Sequence, residues 1–244
     1  MAGGRVLIRW LALVAVFCLD LHCGAQWIAG AYIGEAHTLN SALTVRQPAL
    51  ATDITFHDIS YRGESFQTPL YYGVRGAYFF HPKWGVEAEF IHLKVFANVD
   101  RTAAVVGTLN GAPINAHEPV NAIIQRFSIS HGVNLLLANA IFRHELWRSN
   151  GEKSAGAYVS LRLGAGATIP HAESTIQRRT DEHYQVGSPA LQFAGTIELR
   201  IRKRWYWMGE YKFTRTREEV DVNSGTAKIL LQTHHVVTGP SIHF

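Results

Sequence analysis

Thirteen histidines in 244 residues, interspersed with carboxylates, are the part of this sequence best suited to chemistry. Neutral imidazoles ligate iron and copper, carboxylates complete such sites, and histidine changes charge near neutral pH. No local spacing marks a site, since the chain has no His-x-x-x-His pair and no two-histidine-one-carboxylate run. Any ligand set must therefore be assembled from segments distant in sequence. Glu87 and Glu89 form a carboxylate pair two residues apart, a spacing that serves acid and base work or, equally, an ion network on one face of a strand. "GAGA" at Gly164 to Ala167 lies inside a strand pattern rather than between strand and helix, which excludes a phosphate loop. Its glycines instead make room for side chains of neighbouring strands.

The elements that must position these groups are strands. In "WGVEAEFIHLKVF" (Trp84 to Phe96), Trp84, Val86, Ala88 and Phe90 share one face, and Gly85, Glu87 and Glu89 the other. The same alternation puts Ala157, Val159, Leu161, Leu163, Ala165 and Ala167 opposite Tyr158, Ser160 and Arg162. Eight such segments follow one another: Trp27 to His37, Leu70 to His81, Trp84 to Phe96, Asn134 to Leu146, Ala155 to Ile169, Pro189 to Ile201, Trp205 to Arg217 and Ala227 to Phe244. Most reach the roughly 9–11 residues with which a tilted strand crosses a bilayer. Their connections alternate long and short: Thr38 to Pro69, "PK", Ala97 to Val133, "WRSNGEKS", Pro170 to Ser188, "RKR", then the moderate "EEVDVNSG". Short periplasmic turns, long outer loops and an even strand number are the plan of an outer-membrane barrel. Within the loops, "LATDITFHDIS" alternates as a strand rising above the membrane, with a ten-stranded barrel as the alternative, and Asn110-Gly111 is a hairpin turn signal.

Composition agrees with export. Arg5 and Arg9 precede the apolar run Trp10 to Leu19, and small residues surround Ala25, the layout of a secretory signal peptide over residues 1–25. A run of about ten apolar residues is too short for a membrane helix. Cys18 and Cys23, the only cysteines, lie in that segment, so the exported chain has no thiol or disulfide chemistry. A net charge of +4 with one dense basic run, "RIRKR", excludes a nucleic-acid stripe. The expected fold is all-β: an eight-stranded antiparallel up-and-down transmembrane β-barrel over residues 26–244, a single domain and a monomer in the bacterial outer membrane. Eight strands enclose space only for side chains. The lumen is then expected to pair Arg75, Arg143, Arg162 and Lys212 with Glu87, Glu89, Glu198 and Glu210. His37, His92, His131, His171 and His183 fall at the extracellular rim, with Glu64 and Glu173 as companion carboxylates. His57, His117 and His243 carry no expected role.

The blocks "YRGESFQTPLYYGVRGAYFF", "WGVEAEFIHLKVF", "SISHGVNLLLANAIFR", "GAGATIPHAES", "YQVGSPALQ" and "EYKF" resemble, in order, those of the lipid A oxidases and their outer-membrane barrel relatives. The resemblance covers most of the chain after Thr52. It implies oxidation of the proximal glucosamine of lipid A to an aminogluconate with molecular oxygen, in the outer leaflet, with lipopolysaccharide as partner. "SISH" supplies Ser128 and His131 but not the spacing of the lipid A deacylase barrels. On the oxidase reading, His131 heads the fourth strand and His171 with Glu173 follows the fifth. Adjacent strands pair in an up-and-down barrel, so these three can meet around iron or copper. Arg178 and Arg179 are then expected to hold a lipid A phosphate, a role shared by the other rim cations Lys94, Arg126, Arg215 and Arg217. A non-catalytic barrel that stabilises the envelope or binds a partner through its loops is the alternative.

Overall fold

The computed structural model describes residues 26–130, 132–148 and 155–244. The signal-peptide segment and His131 lie outside the described residues. The chain runs through β1 (Gln26–Thr38), β2 (Ser41–Gln47), β3 (Thr52–Ile59), β4 (Tyr61–Arg62), β5 (Tyr72–His81), β6 (Trp84–His92), β7 (Val95–Ala97), β8 (Thr102–Leu109) and β9 (Ala112–Pro119). It continues through β10 (Ile124–Ile129), β11 (Leu135–Trp147), β12 (Ala157–Thr168), β13 (His171–Ile176), β14 (Arg179–Tyr184), β15 (Pro189–Arg202), β16 (Trp205–Val222) and β17 (Gly225–His243).

The ring β1-β5-β6-β11-β12-β15-β16-β17 closes through β1 on β17, with every pair antiparallel. Closure leaves no unpaired strand edge in a medium without water, which is why a barrel can span a membrane. Lipid side and lumen side alternate along each strand as expected. Trp84 and Val86 are about half exposed, at 49% and 52%, whereas Glu87 and Glu89 are buried at 4% and 3%. Leu161, Leu163, Leu191, Phe193, Trp205 and Trp207 extend the exposed apolar belt around the wall. An apolar exterior around a charged interior is the inverse of a soluble protein, and it makes this an outer-membrane barrel.

The interior holds the expected charges in a dry network. Arg75 Nη1 lies 2.6 Å from Glu210 Oε2, and its Nε lies 3.6 Å from Glu87. Arg162 reaches Glu87 at 3.1 Å and Glu210 at 3.2 Å, and Lys212 Nζ reaches Glu89 at 2.5 Å and Glu210 at 2.9 Å. Asn139 donates to Glu87 and Glu89, and Gln192 and the Tyr32 hydroxyl also donate to Glu89. A Cβ at Gly164 would collide with Asn139 Oδ1, so the glycine lets Asn139 cross the lumen as its sequence context suggested. Gly166 admits backbone rather than a side chain, since a Cβ there would strike the Leu136 carbonyl. Two lumen assignments change. Among the described residues Arg143 forms no ion pair with a carboxylate; it donates to Gln26 Oε1 and the Pro82 carbonyl and lies over the rings of Phe79 and Tyr158. Glu198 instead takes Ser241 and His243, giving the latter a lumen role.

Above the membrane the long connections are folded. β2, β3, β8 and β9 add in series to the upper part of β17, and β14-β13-β10-β7-β4 form a second sheet. The two sheets enclose an apolar core that includes Leu43, Val45, Phe56, Val105, Phe127, Ile129, Ile176 and Ile229. The segment containing Thr52–Ile59 is thus a strand outside the ring, and the barrel has eight strands, not ten. Asn110 and Gly111, both at positive φ, turn β8 into β9 as the sequence suggested. The β16–β17 hairpin rises to a two-residue turn at Asn223 and Ser224, so the moderate connection expected there is mostly strand.

Candidate functional site

The second sheet begins where the barrel wall ends. Thr168 closes β12, Pro170 breaks the strand, and His171 opens β13, its backbone N–H donating to the Gly132 carbonyl at 3.2 Å. Gly132 sits at φ +106°, and a side chain there would meet His92 Nδ1 at 2.6 Å and Asn134 Oδ1. The segment leading into β11 can therefore pass this close only as glycine. Alternation puts His171 and Glu173 on the same face of β13. β13 pairs with β14 so that Glu173 lies directly opposite Glu182 and His171 opposite Tyr184.

These residues form a compact donor set. His171 Nε2 is 3.3 Å from Glu182 Oε1, and one ligand atom each from His171, Glu173 and Glu182 all lie within 4.8 Å of one another. His171 and Glu173 are buried, while the Glu182 side chain is 55% exposed. Tyr184 covers the imidazole with ring centroids 4.0 Å apart. Glu173 is held on two sides, by the Ser130 hydroxyl on Oε1 and the Arg126 guanidinium on Oε2. Facing carboxylates repel; the Arg126 guanidinium offsets the charge on Glu173, and the His171 imidazole lies against Glu182.

The sequence candidates divide accordingly. His171 and Glu173 converge, joined by Glu182, which the sequence reading missed. The only signal for Glu182 was hairpin register. A two-residue turn at Gln177 and Arg178, both left-handed, pairs residue 173 with 182, but that turn lacks an Asn-Gly signature. Arg178 and Arg179 stand exposed at this turn, and Arg179 pairs with Ile176, three positions beyond Glu173 or roughly 10 Å of strand. Glu64 pairs instead with Arg62 at 2.9 Å, and His183 lies 3.6 Å from Asp181 and 3.7 Å from Asp221. Lys94 is buried, donating to the Gln67 carbonyl, and that burial pushes its pKa down. Arg215 and Arg217 project outward above Tyr211 and Phe213, at the height of lipid headgroups. Nearby, Glu218 is buried among the hydroxyls of Thr168 and Thr216, and burial raises its pKa.

No family model and no curated protein matches the chain. Among solved structures, it is similar to OprG from Pseudomonas aeruginosa, at 12% identity over 92% of this chain and 98% of that one, with a TM-score of 0.47. It is also similar to Neisserial surface protein A, at 9% identity over 91% and 99% with a TM-score of 0.42. The outer membrane protease OmpT from Escherichia coli follows at 7% identity over 90% and 97%, also with a TM-score of 0.42. None of these likenesses bears on the rim cluster.

Proposed function

We propose that this outer-membrane barrel oxidises the proximal glucosamine of lipid A in the outer leaflet, with the rim cluster as its active site. The observation that carries the reading is the convergence of His171, Glu173 and Glu182 at the top of the barrel wall, above the lipid belt. A sugar headgroup lies at that height, whereas the lumen of an eight-stranded barrel is filled by its own side chains. One imidazole nitrogen and two carboxylate oxygens suit iron better than copper(I), which prefers sulfur. The donor set therefore suits iron, one of the two metals that the histidines and carboxylates of the sequence suggest, with His171, Glu173 and Glu182 as its holders and His131 as the candidate fourth ligand. Iron bound there would supply the one-electron chemistry that oxygen requires.

The remaining roles belong to the chain. Ser130 and Arg126 fix the Glu173 carboxylate, and the Gly132 carbonyl anchors the backbone of His171. Tyr184 shields one face of the imidazole from water. Glu182, the exposed member, is the group through which a proton leaving the sugar reaches solvent. Oxidation of the free C1 hemiacetal to a lactone releases two electrons and two protons, one proton leaving through Glu182; the electrons, with two protons from solvent, reduce O2 to hydrogen peroxide, and water then opens the lactone to the aminogluconate. Arg178 and Arg179, exposed at the hairpin tip roughly 10 Å along the strand from Glu173, are the proposed phosphate contacts.

The non-catalytic barrel is favoured by one observation: Glu173 already has the Arg126 guanidinium as a counter-charge, and Glu182 already has the His171 imidazole at 3.3 Å. Expression in a host lacking the modification, followed by mass spectrometry of its lipid A with and without oxygen, separates the two readings. Oxygen-dependent conversion that disappears in His131→Ala and His171→Ala, with both barrels inserted, supports the oxidase. Unmodified lipid A from inserted wild-type protein supplied with iron supports the non-catalytic barrel.

A further inference from the structure

We infer that the face of the second sheet bearing the rim cluster also carries a subsite for a phosphate group, headed by Lys94. Calling the phosphate lipid A's rests on the oxidase reading; the subsite itself does not. One row of direct partners crosses all five strands of this sheet: Arg62, Phe96, Ser128, Glu173 and Glu182. Direct partners share a face, so the carboxylates of the cluster and the ring of Phe96 border one surface. Phe96 lies two strand spacings from Glu173, about 10 Å.

The Phe96 end of the row is cationic. Arg62 Cζ lies 5.3 Å and Lys94 Nζ 6.0 Å from the centre of the Phe96 ring. Arg62 has a counter-charge in Glu64, 2.9 Å away, whereas Lys94 has no carboxylate within ion-pair distance among the described residues. Lys94 is nevertheless 3% exposed, and one of its three N–H groups donates to the Gln67 carbonyl at 2.8 Å. The other two have no acceptor among the described residues. A buried charge is ordinarily paired and hydrogen-bonded, so an unpaired ammonium beside a guanidinium calls for an anion. The Ser128 hydroxyl, next along the row and 1% exposed, also has no partner among the described residues. Ammonium and hydroxyl can all donate, and a tetrahedral phosphate accepts from several directions at once. A neutral sugar hydroxyl would leave the charge unpaired.

Access runs through the segment that covers Lys94. Phe66, Gln67, Thr68, Pro69 and Leu70 are all exposed, while Ser65 and Tyr71 at its ends are buried and joined by a hydrogen bond from Tyr71 N–H to the Ser65 carbonyl. The segment can therefore lift as a flap without uncovering apolar core. On the oxidase reading, the reacting sugar sits at His171, Glu173 and Glu182, and the phosphate on the second sugar of the disaccharide reaches Lys94. This subsite is separate from the hairpin tip, where Arg179 shares the face of Ile176 and not that of Glu182.

The test uses the full exported chain in phosphatidylcholine vesicles, with bound lipid read by native mass spectrometry. The probes are equimolar lipid A phosphorylated only on the distal sugar and its fully dephosphorylated counterpart. The wild type should retain the phosphorylated form roughly tenfold more, and Lys94→Met should lose that preference, the effect of one charge-assisted hydrogen bond. Lys94→Arg should keep most of it, and Ser128→Ala should lower it by less than Lys94→Met does. Without phosphate, Lys94→Met should resist urea at least as well as wild type, because it removes an unpaired buried charge; a purely structural lysine would show the opposite. Boiling-dependent gel mobility checks closure, and Lys94→Gln replaces Lys94→Met if the latter does not insert. Excess inorganic phosphate that abolishes the preference shows a subsite open to free phosphate, and no effect assigns it to the lipid-borne group. Equal retention of both lipids by wild type overturns the inference, as does a preference that survives Lys94→Met and falls with Arg178→Gln and Arg179→Gln. Phosphorylated lipid A bound but never oxidised would sink the oxidase reading and leave the subsite standing. Oxidation without any phosphate preference would do the reverse.

Discussion

The lumen and the rim hold the same kinds of side chain in opposite states. In the lumen, Glu210 meets Arg75, Arg162 and Lys212, and Glu89 meets Lys212, Tyr32, Asn139 and Gln192. Every one of these groups is nearly inaccessible. At the rim, Glu173 and Glu182 face each other across the β13–β14 pair, the His171 imidazole lies 3.3 Å from Glu182, and Glu182 is open to solvent. Charges saturated by fixed counter-charges hold a fold together, because binding anything else would mean giving those partners up. A carboxylate open to solvent on one side, as Glu182 is, retains capacity for a cation or a substrate.

The largest effect should come from breaking the saturated region. Glu210→Ala strips three buried cations of a shared partner, and losing one side of a buried pair costs about 3–5 kcal/mol. Loss of the heat-modifiable folded band on gels would register it. Glu89→Ala should act similarly through Lys212, the cation that contacts it. Next comes the lipid face, where Ala88→Arg should cost about 2–4 kcal/mol near the midplane, measured by urea-dependent folding into vesicles. A harmless Ala88→Arg would mean that the inner and outer faces are reversed.

Rim substitutions sharpen the contrast from the other side. Glu182→Gln should change folding stability by no more than about 0.5 kcal/mol, as at other exposed positions, while lowering iron retained after purification, as read by elemental analysis. The smallest effect, informative through its sign, belongs to Glu218. Burial raises the pKa of this carboxyl above its unfolded value, so the folded chain holds the proton more tightly. That contribution is complete below the unfolded pKa and is lost as pH rises through the folded one. Glu218→Gln, which keeps the neutral shape, should therefore stabilise the barrel at pH 8 relative to wild type and change little at pH 4.

The wall was legible because its physics is local. Alternation with a period of two located all eight ring strands to within a few residues, and it assigned Glu87 and Glu89 to the lumen and Trp84 and Val86 to lipid. The strand expected to run to Phe96 ends instead at His92, since Val95–Ala97 turns away to join the second sheet. The extracellular sandwich was only glimpsed. Its strands are short, and their partners, such as β3 on β8 and β10 on β13, are fixed by loop closure over distant segments. Glu182 was missed for the same reason, whereas His171 and Glu173 stand two residues apart in the block "GAGATIPHAES" that carries the family resemblance. The partners of His92 and His243 depend on single side-chain contacts that no periodicity encodes.

The central claim is that chemistry belongs to the rim and structure to the lumen. The most direct test is lipid A conversion per folded barrel, by mass spectrometry, for Glu182→Gln beside the lumen variant Asn139→Ala. The expected result is conversion lost in Glu182→Gln, with folding intact, and retained in whatever fraction of Asn139→Ala closes into a barrel. Conversion that survives Glu182→Gln but disappears from correctly folded Asn139→Ala would contradict the account and move the active site into the lumen.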